Sequence, residues 1–298
     1  MKSAFKSPEG ERAVREQYLE ILKHWPVPSS QLRVPTREGE TFVVACGEVG
    51  CENDDAPALV LLHGGMSNSA MWIGDIAVWA PHFRIYAIDI IGDAGLSAPS
   101  RPPLATDAHA LWLDDVFQAL SLDRVSLAGV SFGGWLALDY ATRRPKRVQS
   151  VVAMCPAGVG RQNFGIVLKT VPLLLLGARG RRKAAEIVLG KAPENPTPAM
   201  QYFLEFFALI HKNFRRRIVR LPVFSDQALA RLTMPVLAIV GGRDVLIDSG
   251  ETKRRLEQNA PRATVRYLPE AGHLIRGQAA AILEFLLTAP QPLDKIGT

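Results

Sequence analysis

One open α/β sheet, mostly parallel, covered by helices on both faces and interrupted by a helical insertion, is the architecture this 298-residue sequence predicts. Three observations carry that reading. From residue 58 onward, short runs apolar on both faces alternate with longer segments of helical periodicity, as strands buried between two helical layers do. A helix-rich segment without a strand pattern, residues 157–221, then breaks the alternation, and further strand and helix patterns follow it. The insertion also has its own charge: twelve basic and three acidic residues lie between Ala157 and Pro222, a net +9, whereas the rest of the chain sums to −3 within a total of +6.

The elements follow in order. PEGERAVREQYLEILKHW sets Val14, Tyr18, Ile21 and Leu22 at helical spacing and stops at WPVP, so residues 1–28 read as a leading amphipathic helix. QLRVPT and TFVVACG, separated by Arg-Glu-Gly-Glu, read as a β-hairpin. ALVLLH, RIYAIDII, RVSLAGV and RVQSVVAMC are core strands. They are separated by the helical patterns AMWIGDIAVWA, TDAHALWLDDVFQALSL and FGGWLALDYATRR. After the insertion come the strand PVLAIVGG, the helix SGETKRRLEQNA, the strand ATVRYLP and a last helix from about Ile275 to Leu287. The core is thus residues 1–156 and 222–298. Residues 157–221 form a helical cap expected over the carboxyl ends of the strands, where open α/β sheets bind ligands.

Composition excludes several classes. No uninterrupted apolar run reaches membrane-spanning length, and the first residues carry no apolar stretch of a secretion signal, so a cytoplasmic protein is expected. Cys46, Cys51 and Cys155 have no CxxC and no Cys/His pairing, which indicates free thiols with neither a disulfide framework nor a metal site.

Gly129-Val130-Ser131-Phe132-Gly133 fits GxSxG and lies between the strand RVSLAGV and the helix WLALDYATRR, the strand-turn-helix setting of a nucleophile elbow. A serine hydroxyl needs a base, and the base needs an orienting acid. Of six histidines, His273 in LPEAGH follows the last strand and reaches the same sheet edge; His24, His82, His109 and His211 fit surface or packing roles. Asp244, after PVLAIVGGR, is the expected acid, while Asp248 is expected to cap the following helix. For the oxyanion, the backbone N–H groups of Phe132 and Gly65 are expected, the latter in His63-Gly64-Gly65-Met66 with Met66 as the alternative donor. His63 is expected to brace that loop.

LVLLHGG, YAIDIIGDAGLS, LAGVSFGG, PVLAIVGGRD and LPEAGH together, over about residues 30–290, resemble the α/β-hydrolase superfamily. DIIGD in place of the commoner DxxGxGxS, with WPVP, resembles bacterial carboxylesterases with a helical cap. The resemblance implies the α/β-hydrolase fold and hydrolysis of small-molecule carboxylic esters through an acyl-enzyme, without metal or cofactor. Haloalkane dehalogenases and epoxide hydrolases share the layout but carry Asp where Ser131 stands. Perhydrolases, lactonases and carbon-carbon bond hydrolases share the triad and stay open, as does a ligand receptor with a vestigial triad.

The cap residues Phe164, Leu168, Leu173, Phe203, Phe206 and Phe207 are the expected pocket lining. Its arginines and lysines are expected to form a solvated face without nucleic-acid binding, with weak contact to anionic surfaces as the second expectation.

Overall fold

The computed structural model describes residues 4–47, 56–163, 165–174, 176–190, 198–217 and 219–289; Cys51 and Phe164 lie outside it, as do some side chains of the cap helices. The leading helix α1 (Pro8–Leu22) begins where Ser7 accepts the Gly10 N–H at 3.1 Å, with Pro8 in the first turn and Glu9 and Glu11 facing the positive helix end. Its stripe of Val14, Tyr18, Ile21 and Leu22 is buried.

Eight strands form one sheet: β1 (Ser29–Thr36), β2 (Gly39–Cys46), β3 (Ala58–Leu62), β4 (Arg84–Ile88), β5 (Val125–Val130), β6 (Val148–Met154), β7 (Val236–Gly241) and β8 (Ala263–Leu268), in the order β1-β2-β4-β3-β5-β6-β7-β8. The hairpin β1/β2 and the β2/β4 pair are antiparallel, and every pair from β4 to β8 is parallel. Burial explains the sequence pattern. Every residue of β3, β5, β6 and β7 is buried, whereas β8 at the edge alternates between exposed and half-buried positions.

The helices between and after the strands are α2 (Ile76–Trp79), α3 (Ala108–Ala119), α4 (Phe132–Arg143), α5 (Gly165–Leu174), α6 (Gly177–Leu189), α7 (Pro198–Asn213), α8 (Asp226–Leu229), α9 (Ser249–Asn259) and α10 (Ala279–Thr288). Two differ from the sequence expectation. AMWIGDIAVWA is broken at Gly74-Asp75 into a 3-10 turn, Ser69–Trp72, and the short α2, with Trp72 packed against Trp79. The last helix starts only at Ala279, because the preceding residues belong to the loop that follows His273.

The insertion leaves the sheet after β6 and returns before β7, and among its described residues there is no strand, only an isolated bridge from Gln162 to Ile247. Its two ends are tied together. The Gln162 amide donates to the Leu221 carbonyl at 2.8 Å and accepts the Leu221 N–H at 3.2 Å. The last cap helix, α7, is held by the start of the chain: Phe206 stacks on Tyr18 with centroids 6.1 Å apart, Phe214 meets Phe5 edge-on, and Lys6 N–H donates to the Asn213 carbonyl at 2.8 Å. Tyr18 continues inward and donates to Asp89 at 2.9 Å, so the ring that Phe206 of the cap covers is itself hydrogen-bonded to the core.

Candidate active site

Ser131 ends β5 in the middle of the sheet and starts α4 at φ 52°, ψ −106°, a strained conformation for a residue with a Cβ, of the kind that costs about 1–3 kcal/mol. The strain persists because the elbow is over-determined. Ser131 N–H donates to the Met154 carbonyl at 2.8 Å on the neighbouring strand, and Ser131 carbonyl accepts the Trp135 N–H at 2.9 Å. The glycines allow the close approach: a Cβ on Gly133 would lie 2.1 Å from the Leu62 carbonyl oxygen, and one on Gly129 2.3 Å from that of Gly133.

His273 and Asp244 come from the loops after β8 and β7, which are laced together by Arg243 N–H donating to the Ala271 carbonyl at 2.8 Å. His273 Nε2 is 3.0 Å from Ser131 Oγ and Nδ1 is 2.7 Å from Asp244 Oδ2. The imidazole is buried to 8% exposure. Asp244 is fixed by its other oxygen, Oδ1, which accepts the Leu246 and Ile247 N–H groups at 2.8 and 3.1 Å. Asp248 caps α9 instead, accepting Glu251 N–H at 2.8 Å. The two acids that sequence weighed against each other therefore have separate partners.

On the opposite side of Ser131, Gly65 lies in the loop after β3, and a Cβ built on it would be 3.8 Å from that of Phe132. Phe132 is the first residue of α4, where no intrahelical acceptor exists for its N–H. Met66 N–H, the alternative donor, already donates to Asp93 Oδ1 at 2.8 Å, so it is occupied. His63 braces the loop: it is fully buried, its Nε2 accepts the Ile90 N–H at 2.9 Å, and Nδ1 consequently donates to the Gly64 carbonyl at 2.8 Å.

Two residues expected from sequence to be a free thiol and a surface or packing histidine, Cys155 and His109, stand next to the site. The buried Cys155 thiol lies with Asp244 and His273 in a group whose polar atoms are within 4.8 Å of one another; burial, then the Asp244 carboxylate, pushes that thiol well above its ordinary range, so it stays neutral. His109 stands edge-on to Phe132 and Trp135, and burial, then Arg217 and Arg143, lower it to about 4, which makes it an uncharged packing group. Only the tertiary fold brings Cys155 to Asp244 and His273, and His109 to Phe132 and Trp135.

Of the expected pocket lining, Leu173, Phe203 and Phe207 are half-buried on α5 and α7. Phe164 and the side chain of Leu168 lie outside the described residues. Phe206, at 2% exposure, is turned onto Tyr18 of α1 and holds the cap down, away from a lining position.

A serine at a strained strand-helix turn, hydrogen-bonded to a histidine and through it to a buried carboxylate at the carboxyl edge of a parallel sheet, has the form of a hydrolase site. The chain belongs to the alpha/beta hydrolase family, whose model matches residues 59–285. Among proteins it is similar to, carboxylesterase YbfK of Bacillus subtilis is 33% identical over 266 residues, 87% of each chain. The crystal structure of that carboxylesterase, CesB (YbfK), superposes with a TM-score of 0.78 over 94% of this chain and 98% of that one. Naproxen esterase (carboxylesterase NP) of the same organism, 27% identical, superposes with a TM-score of 0.78 over 95% and 98%.

Proposed function

We propose that this protein hydrolyses carboxylic esters of small molecules through an acyl-enzyme, with Ser131 as nucleophile, His273 as base, Asp244 as the acid that orients it, and Gly65 and Phe132 N–H as oxyanion donors. The observation that carries the reading is the continuous line from Ser131 Oγ through His273 to Asp244, at 3.0 and 2.7 Å. Likeness over most of the chain to proteins named as carboxylesterases supports the ester as substrate.

The chemistry follows from the geometry. His273 Nε2 takes the Ser131 proton as Oγ attacks the ester carbonyl, and Asp244 Oδ2 stabilises the imidazolium through Nδ1–H. The carbonyl oxygen, now negative, accepts the Gly65 and Phe132 N–H groups. His273 returns the proton to the departing alcohol, then deprotonates the water that releases the acid. An apolar group of the ester lies under the cap beside Leu173, Phe203 and Phe207. The enzyme works in the cytoplasm; no helix among the described residues is long and apolar enough to cross a membrane. The basic cap face is solvated and touches anionic surfaces weakly at most.

A panel of p-nitrophenyl esters, thioesters, lactones and amides on wild type and Ser131→Ala tests this. Ester hydrolysis that disappears in the variant is expected. Equal rates in both proteins, or turnover confined to amides, would contradict it.

A further inference from the structure

We propose that Asp93 is the positioning residue of the oxyanion loop: by accepting Met66 N–H it holds the turn after β3 in the form that leaves Gly65 N–H free beside Phe132. This rests on the esterase reading above.

The turn needs an external hold. Met66 has φ 59°, in the left-handed region that a residue with a Cβ disfavours, and the loop is anchored upstream by His63 and by Gly64 N–H, which faces the Met71 sulfur at 3.5 Å. Asp93 Oδ1 accepts Met66 N–H at 2.8 Å and Ala94 N–H at 2.9 Å, joining this turn to the loop after β4. Its other oxygen, Oδ2, is 4.0 Å from the position a Cβ on Gly65 would take.

A carboxylate is an unfavourable neighbour for a developing oxyanion, since like charges repel strongly where water is scarce. Its presence here therefore calls for a compensating role, and the two backbone N–H groups it accepts supply one. Burial raises the Asp93 carboxyl above its ordinary range, and His63, the Ala94 and Met66 N–H groups and Arg101 oppose that rise. Arg217, half-buried, also feels this carboxylate, and its guanidinium stands 6.0 Å over the Phe132 ring. The same arginines fasten the loop to the cap exit: Arg101 Nη2 donates to the Arg215 carbonyl at 3.0 Å and Arg217 Nη2 to the Pro102 carbonyl at 2.7 Å.

The test compares Asp93→Ala, which removes the acceptor, with Asp93→Asn, which keeps an oxygen acceptor and removes the charge. The probe is an alkyl trifluoromethyl ketone. Ser131 Oγ bonds its carbonyl carbon, the proton passes to His273, and the ketone oxygen becomes a stable oxyanion. Expected for Asp93→Ala is a kcat reduced about 10- to 100-fold, a KM within about threefold of wild type, and ketone affinity weakened by the same factor as kcat, against about 10²–10³ for loss of a whole oxyanion donor. Asp93→Asn is expected to recover all but a few-fold of both, with thermal midpoints recorded for each protein.

Unchanged ketone affinity in Asp93→Ala would overturn the role of Asp93 alone, as would equal losses in Ala and Asn. A wild type that forms no ketone adduct would instead remove the oxyanion hole itself, and the proposal with it.

Discussion

The sheet and the cap are built on different principles. In the sheet, β3, β5, β6 and β7 are buried along their whole length, and the site residues leave their carboxyl ends with backbone geometry that tolerates almost no change. Among its described residues the cap has three helices, rich in arginine and lysine, tied at its neck by Gln162 and Leu221 and clamped by aromatic contacts to α1 and to Phe5 before it. A rigid strand end suits reacting atoms that must be held within fractions of an ångström. The proposed cap, a helical insertion fastened at two places, is where substrate entry and shape would be set. Perturbing the first should abolish chemistry or folding, and perturbing the second should change stability and substrate range by degrees.

Gly133→Ala is expected to break the comparison most severely on the sheet side. The added methyl meets the Leu62 carbonyl oxygen at 2.1 Å, so the elbow cannot close; a loss exceeding about 4 kcal/mol, read by urea denaturation, and no measurable esterase activity are expected. On the cap side, Phe206→Ala should cost about 3–5 kcal/mol, the usual range for a buried aromatic. Because Phe206 packs on Tyr18, kcat/KM for bulky esters should fall more than for acetates.

A smaller effect sharpens the seam between the two regions. His211, on α7, is lowered to about 4 by burial, with Arg216 and Lys6 adding repulsion. A histidine whose folded value lies below its unfolded 6.5 contributes stability fully above 6.5 and loses it as pH falls toward 4. His211→Gln should therefore remove about 2 kcal/mol of the stability difference between pH 7.5 and pH 5, leaving the similar contribution of His109 in the core. The smallest effect belongs to the cap surface. Arg182 pairs with Glu186 at 3.1 Å in solvent, and Arg182→Ala should shift stability by less than about 0.5 kcal/mol without changing p-nitrophenyl acetate kinetics.

This division also governs how much was legible in the sequence. Ser131, Asp244 and His273 stand at strand ends whose order is written in short apolar runs, and Asp244 was separated from Asp248 by its strand-end position together with the helix-capping role open to Asp248. His63 was readable as a brace because its strand-end position left it a loop to hold. Asp93 was not, since its hydrogen bond to Met66 spans 27 residues and exists only once two loops meet. Phe206 was expected in the pocket lining, because sequence does not say which partner covers that face of α7. Tyr18 answered that question only in three dimensions. The broken α2 and the late start of α10 have the same origin, in loops committed to tertiary contacts.

The central claim is that Ser131 forms the covalent intermediate under the control of His273. Labelling with a fluorophosphonate, mapped by peptide mass spectrometry, tests it most directly. One adduct per chain on Ser131 is expected, absent in Ser131→Ala and formed about 10⁶-fold more slowly in His273→Ala. Labelling at another residue, or ester hydrolysis that survives complete modification of Ser131, would contradict it.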